Sequence, residues 1–305
     1  MLVYTLKRSF VAFLILIVVS ALTFSLSHLA GDPALTIGGE QASDEDIEAI
    51  RLLYGFDRPL YVQYADWGWR ALQGDFGESY HYRQPVATMI GERIGRTMLL
   101  GFLAIMFALV ISIPMGTLAA MRPNSLIDRF ALLVAVFGQA LPTFWFALMM
   151  MIVFGIWWRM LPISGHDTWA HYVMPTIALG YYATPALMRL TRAGMIEVLG
   201  SDYIRTARAK GLSPTSVLFK HALRNAIIPV VALAAVWFGF MLGGSIVIET
   251  IFNLKGMGWL SYDALLRSDL PVVQAIVLIF ASFYVVLTLL ADLLNAYLDP
   301  RISVR

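Results

Sequence analysis

The chain has 305 residues, of which 59% are hydrophobic and only 14% charged, and its mean hydropathy of +0.72 departs from a soluble domain toward lipid. A net charge of +2 gives no reason to expect a polyanionic partner such as nucleic acid. With no cysteine, disulfides and thiolate metal or redox chemistry are excluded.

Lys7 and Arg8 precede the first apolar run, Phe10–Leu29. That run is longer than a signal-peptide core, and Ala30-Gly31-Asp32-Pro33 makes no clean small-x-small cleavage site. It reads as an uncleaved membrane helix. The segment 31–96 then carries six Arg against eleven acids, a net of −5. Within it Ser43 can cap a helix, with Asp44, Glu45 and Asp46 favourable in its first turn. Ile47, Ile50 and Tyr54 keep helical spacing, and Gly55 can end the helix. Trp67, Trp69, Phe76 and Tyr80 follow, so a small helical cap lying on the membrane is expected.

Five further runs are free of charge: Thr97–Met121, Phe130–Trp158, Tyr172–Met188, Ala226–Ile248 and Val272–Ala291. About 20 apolar residues cross a bilayer core as a helix. A mid-bilayer charge costs roughly 2.5–3.5 kcal/mol, which explains the exclusion of Asp, Glu, Lys and Arg. Continuous rather than alternating apolarity predicts helices, since lipid-exposed backbone must satisfy its own hydrogen bonds. The expected fold is an all-α membrane protein with six spans and both termini on one side. Segment 189–225 nets +5, Arg122 and Arg129 flank the short loop between the second and third spans, and the tails carry Lys7, Arg8, Arg301 and Arg305. Positive loops stay in the cytoplasm, which puts both termini inside and 31–96 outside.

Between the fourth and fifth spans the chain reads Ser201-Asp202-Tyr203-Ile204-Arg205-Thr206-Ala207-Arg208-Ala209-Lys210-Gly211-Leu212-Ser213-Pro214. A Ser or Asp cap opens a short helix, and Gly211 sits where a left-handed residue would close it. Ser213 followed by Pro214 restarts a second helix. A rigid helix–Gly–helix elbow suits docking into a partner's groove and passing on its motion. On charge alone, such a segment would serve only as an orientation signal against anionic lipid.

This elbow resembles the EAA loop of ABC importer permeases. Arg205-Thr206-Ala207-Arg208-Ala209-Lys210-Gly211 with His221-Ala222-Leu223-Arg224-Asn225-Ala226 is similar to the dipeptide/oligopeptide/nickel/glutathione permease family. Gly31-Asp32-Pro33, Tyr54-Gly55-Phe56-Asp57-Arg58-Pro59-Leu60, Gln63-Tyr64, Gly74-Asp75-Phe76-Gly77, Gly243-Gly244-Ser245 before Glu249, and Asp299-Pro300-Arg301 agree in order along nearly the whole chain. Arg205 and Thr206 replace the Glu and first Ala of the broader EAA pattern, and His221 and Arg224 stand where it has Ile and Pro. The resemblance implies a permease of the type I ABC importer class in a bacterial inner membrane, importing di- or oligopeptides, with nickel, glutathione or opine-type import as the other reading. It implies a second homologous permease as heterodimer partner, two cytoplasmic ATPase subunits, and an extracytoplasmic solute-binding protein. Residues 1–96 would form the first span and cap, and 97–305 a five-helix core with the EAA-like loop at about 189–228. ATP and Mg would sit on the ATPase partners, leaving this chain without cofactor, metal or catalytic residue. The residues support one part independently: none of the four lysines follows a glycine, so no P-loop exists here.

The coupling contact is therefore expected at Arg205, Thr206, Ala207, Arg208, Ala209, Lys210, Gly211, Leu212 and Ser213. Gly243 and Gly244 are candidates for close helix approach, at the partner permease or the pathway. Glu249 can be a gate or solute ligand, but its place at a span end reads first as a solvated or salt-bridged residue. Asp292 is expected to pair with an Arg, His28 to be a plain interfacial residue, and Met149-Met150-Met151 to pack or face lipid. His166 and His171 lie five apart with no carboxylate pattern, which favours loop polarity over a nickel site. A membrane protease would need a Ser–His pair or a zinc motif, and no His-Glu pair occurs. A self-contained transporter or channel would carry intramembrane acids or broken helices, and the six runs carry no charge.

Overall fold

The computed structural model describes residues 2–29, 32–39 and 42–298. Gly31, Asp299-Pro300-Arg301, Arg305 and the side chain of His28 lie outside the described residues. In chain order, α1 (Leu2–Leu29) is followed by α2 (Pro33–Gly38), α3 (Asp44–Tyr54) and α4 (Leu60–Leu72). Next come α5 (Val86–Met121), α6 (Leu126–Ala140) and α7 (Thr143–Met150), which continues as a π-helical turn, Met151–Trp157. α8 (Ala170–Gly180), α9 (Thr184–Leu199) and α10 (Asp202–Ala209) lead to α11 (Pro214–Ser216). A π-helical turn (Val217–Leu223) joins α11 to α12 (Arg224–Ala226); α13 (Ile228–Phe252), α14 (Met257–Leu266) and α15 (Leu270–Leu298) complete the chain. Among the described residues no strand forms beyond one isolated bridge, Glu78 to Pro85.

Among the described residues four helices, α1, α5, α13 and α15, are each long and apolar enough to cross a membrane alone. The third expected span is not one rod. The run 130–158 breaks after Ala140, and α6 and α7 meet at 100°. Pro142 is the cause: the residue before a proline is driven out of the helical region, and Leu141 is extended, with ψ 128. Apolarity along 130–158 reported immersion, not direction. The fourth run is also divided, into α8 and α9 around 181–183, with Pro185 in the first turn of α9, where its missing N–H does no harm. α5 has 36 residues, about 54 Å, so its charged first turns stand clear of a bilayer core.

α5 packs along α8 and α9, α13 along α15, and α1 against α15. The central core interleaves Leu100, Ala104 and Ala108 with Ala178, Leu187, Val230, Ala234 and Ile248. Small residues let these helices meet. A Cβ on Gly116 of α5 would lie 2.7 Å from the Met188 carbonyl of α9. On the outside, Phe10, Phe13, Val110 and Phe137 are exposed, as a lipid-facing surface requires. Arg8 on α1 reaches Asp292 on α15 at 3.1 Å, which fulfils the expected pairing. Met150 is buried and Met149 and Met151 half-buried.

The cap folds as its composition dictates. Ser43 and Asp46 form a reciprocal capping box at α3, and Gly55 closes that helix at φ +70. Val86, Met89 and Ile90 at the start of α5 pack against Met257 and Leu260 of α14 and Val272 and Ile276 of α15, a second core at the end of the bundle remote from α10.

Candidate functional site

The basic segment folds as its residues predict. Gly211 holds φ +75, and its N–H donates to the Arg208 carbonyl at 3.0 Å. Ser213 caps the restarted helix by accepting from Ser216 N–H, and Pro214 takes its first position. Ile204 and Ala207 point inward, onto Met195, Val217, Ala222 and Ala226 and onto Ala120 of α5. Burying Ile204 contributes about 2 kcal/mol, enough to seat so short a helix. Asn225 donates to the Tyr203 hydroxyl at 2.9 Å, tying the two arms of the elbow. The expected contact residues thus divide. Ala207 is an anchor, while Arg205, Thr206 and Arg208 to Ser213 form one exposed face. Arg205 pairs with Asp202 at 2.8 Å, but both are over four-fifths exposed, so that pair is weak. Arg208 and Lys210 have no ion pair among the described residues.

A residue pair that sequence reasoning missed braces this elbow. Asp128, at the start of α6, is 2% exposed and takes Arg192 of α9 in a two-pronged pair, Nε at 2.6 Å and Nη2 at 2.7 Å. Asn124 N–H adds a third donor at 2.8 Å. The turn between α5 and α6 is thereby fixed to α9, the helix that leads into α10. The available signal was Ser125-x-x-Asp128, a helix-cap spacing.

The opposite end is built around two buried acids. Glu249 is 1% exposed, so the expectation of a solvated or salt-bridged end residue fails. No cation reaches it among the described residues. Instead Thr97 of α5 donates its hydroxyl to Oε1 at 2.7 Å, and Trp259 N–H of α14 donates to Oε2 at 3.0 Å. The Thr97 oxygen also accepts Met257 N–H at 2.8 Å. The neighbouring cation, Arg96, donates to the Lys255 carbonyl at 2.9 Å. Gly243 and Gly244 sit one to two turns earlier on α13 and are exposed; among the described residues a Cβ on Gly243 would meet nothing within 4 Å and one on Gly244 only Leu179 of α8, at 3.9 Å. His171 is engaged by Thr168 N–H at 3.2 Å, and His166 lies 4.0 Å from Asp167.

Asp269, before α15, is fully buried and accepts from the Ser79 hydroxyl, Tyr80 N–H at 3.0 Å and His81 N–H at 3.5 Å. It pins the 77–85 loop onto the bundle. Burial first, and the Asp269 charge second, push the Tyr80 hydroxyl up to about 12. Between this loop, α4 and the start of α15 lies a cavity of about 530 Å³ whose wall includes Trp67, Phe76, Arg70 and Arg83.

Comparison with known proteins matches the chain to a family. The profile of the family described as binding-protein-dependent transport system inner membrane component matches residues 112–304, and that of its N-terminal region matches residues 1–101. The chain is 41% identical over 303 residues to the glutathione transport system permease protein GsiC of Escherichia coli strain K12, covering 99% of both. GsiC of Shigella flexneri serotype 5b shows the same identity and coverage. Among solved structures, the inward-facing MetNI methionine ABC transporter superposes with a TM-score of 0.58 at 17% identity, covering 69% of this chain and 96% of that one. That likeness speaks for the fold alone.

Proposed function

The chain belongs to the binding-protein-dependent transport inner-membrane components and is a membrane-spanning permease of an ABC importer; from that premise we propose how it is driven and what it carries. The face of Arg205, Thr206 and Arg208 to Ser213 docks into a cytoplasmic ATPase subunit. The observation that carries this is the division of the elbow: Ile204 and Ala207 are buried while Arg205, Arg208 and Lys210 beside them are exposed. Both termini and the elbow lie in the cytoplasm, supported by the +5 balance of 189–225 against −5 for 31–96. The cap and the Glu249 corner lie outside. A second homologous permease completes the pathway, and an extracytoplasmic binding protein delivers the solute. ATP and Mg stay on the ATPase subunits, and this chain supplies no catalytic group. The division 1–96 and 97–305 is one of role, since α5 runs unbroken through Arg96.

The solute is a short peptide, with glutathione favoured by the name of the 41% identical relatives. Because the chain has no cysteine, Arg208→Cys gives a single label site. A membrane-impermeant maleimide should label it in inverted vesicles and not in intact cells, and a co-expressed ATPase subunit should cross-link to it. Labelling from the outside would end the docking reading. Glutathione and dipeptide binding by the extracytoplasmic partner decides the solute.

A further inference from the structure

We propose that Glu249 is the bolt of the outer gate: its carboxylate locks α14 to the outer ends of α5 and α13, and this lock must hold for ATP hydrolysis to move solute. The inference rests on the importer reading above. Three elements meet at one buried carboxylate. α13 supplies the acid, α5 the Thr97 hydroxyl and α14 the Trp259 amide, while Met257 N–H of α14 donates to the Thr97 oxygen. The chain makes room for this at two glycines. A Cβ on Gly256 would run into Glu249 Oε2 and come within 2.6 Å of Thr97 Oγ1, and one on Gly258 would come within 2.8 Å of the Ile246 backbone.

Local bonding shapes only the first half of the turn that carries α14, where Asn253 caps α13 in the left-handed form and Leu254 N–H returns to the Glu249 carbonyl at 3.0 Å. Asn253 and Lys255 are both left-handed, at φ +50 and +49, a region that side-chain-bearing residues adopt at a cost. Contacts to α5 hold the second half: Arg96 holds the Lys255 carbonyl at 2.9 Å, and Thr97 holds the Met257 amide. A permanent internal joint is often as stable, or more so, with well-packed apolar side chains in place of the buried acid. A carboxylate among neutral donors suits a joint that opens. It is satisfied in its nest when α5 and α14 meet, and by outside water when they part. Glu249 is therefore a positioning residue. It sets where α14 lies and touches no solute.

The test is uptake per ATP hydrolysed, in the full complex of both permeases, ATPases and binding protein in liposomes, with labelled glutathione and a labelled dipeptide as probes. A defect in folding or yield lowers uptake and hydrolysis together and leaves their ratio unchanged. Thr97→Val keeps the shape of the side chain and removes the hydroxyl. Glu249→Gln replaces one acceptor oxygen by a donor. Both should lower the ratio about five- to tenfold, the range of a modest coupling energy. Thr97→Ser keeps the hydroxyl and should restore it. An unchanged ratio in both variants overturns the bolt, as does a Thr97→Ser ratio as low as that of Thr97→Val. Failure of both variants to assemble also overturns it, since Glu249 would then be a folding determinant. A wild-type complex that hydrolyses ATP yet moves neither probe overturns the short-peptide reading of the solute, an outcome distinct from any change in the ratio between variants.

Discussion

The Asp128–Arg192 pair allows a test of unequal burial. Removing either partner breaks the same two hydrogen bonds, yet what remains differs. Asp128 is 2% exposed and Arg192 23%. In Asp128→Ala, the freed guanidinium can turn toward water, so the loss is that of charge-assisted hydrogen bonds alone, about 2–3 kcal/mol. In Arg192→Met, the carboxylate stays enclosed with Asn124 N–H at 2.8 Å and no cation, and such an orphaned charge costs about 3–5 kcal/mol. The arginine variant should therefore be the less stable by roughly 1–2 kcal/mol. The double variant should regain stability over Arg192→Met alone, because it removes the buried charge. Unfolding of the purified chain in micelles, followed by tryptophan fluorescence against denaturant, measures all three. Equal losses in the two single variants, or a double variant that loses their sum, would refute the claim that Asp128 is held inside by Arg192.

Other parts of the chain give sharp expectations. A Cβ on Gly211 meets no heavy atom within 4 Å, so Gly211→Val acts chiefly through backbone strain at φ +75, roughly 1–2 kcal/mol or more for a β-branched residue. It should insert normally yet move less solute per ATP, and wild-type transport would remove the elbow from the coupling path. Tyr80 should make the cap alkali-sensitive. Its hydroxyl titrates near 12 when folded and near 10 when unfolded, so stability is full below pH 10 and falls by about 2–3 kcal/mol as pH rises through 12. Tyr80→Phe should flatten that fall in a circular-dichroism pH series; an unaltered slope would contradict the assignment. Asp269→Ala strands three donors of the 79–81 loop, a loss of about 2–4 kcal/mol, and should expose 77–85 to protease. A loop as resistant as in the wild type would show that Asp269 does not pin it.

The sequence carried the local features and missed the distant ones, for a physical reason. The Ser43 cap, the Gly55 and Gly211 closures and the Ser213-Pro214 restart are decided by residues within four positions of one another, and each stands where its chemistry required. The break at Pro142 had a local signal, but apolar composition concealed it, because lipid immersion constrains polarity and leaves direction free. Glu249 and Thr97 are 152 positions apart, and Asp128 and Arg192 are 64 apart. Nothing local marks Thr97 as anything but the polar edge of an apolar run. Its role exists only once α5, α13 and α14 converge.

Those distant pairs also explain how one end of the molecule could act on the other. α9 is held to the α5–α6 turn by Asp128 and pressed on α5 at Gly116, so the near arm of the elbow does not move without them. The far arm, α11 to α12, leads through Ile227 into α13, an unbroken helix of 25 residues, about 37 Å long. Glu249 lies in the last turn of that helix, bonded to α5 and α14. A continuous helix of this length bends only gently, so it carries displacement from one end toward the other. A tilt imposed at the elbow therefore arrives at the carboxylate corner, where neutral donors can release it and water can receive it. With the elbow docked and Glu249 acting as proposed, α13 is the one continuous element that joins the two sites.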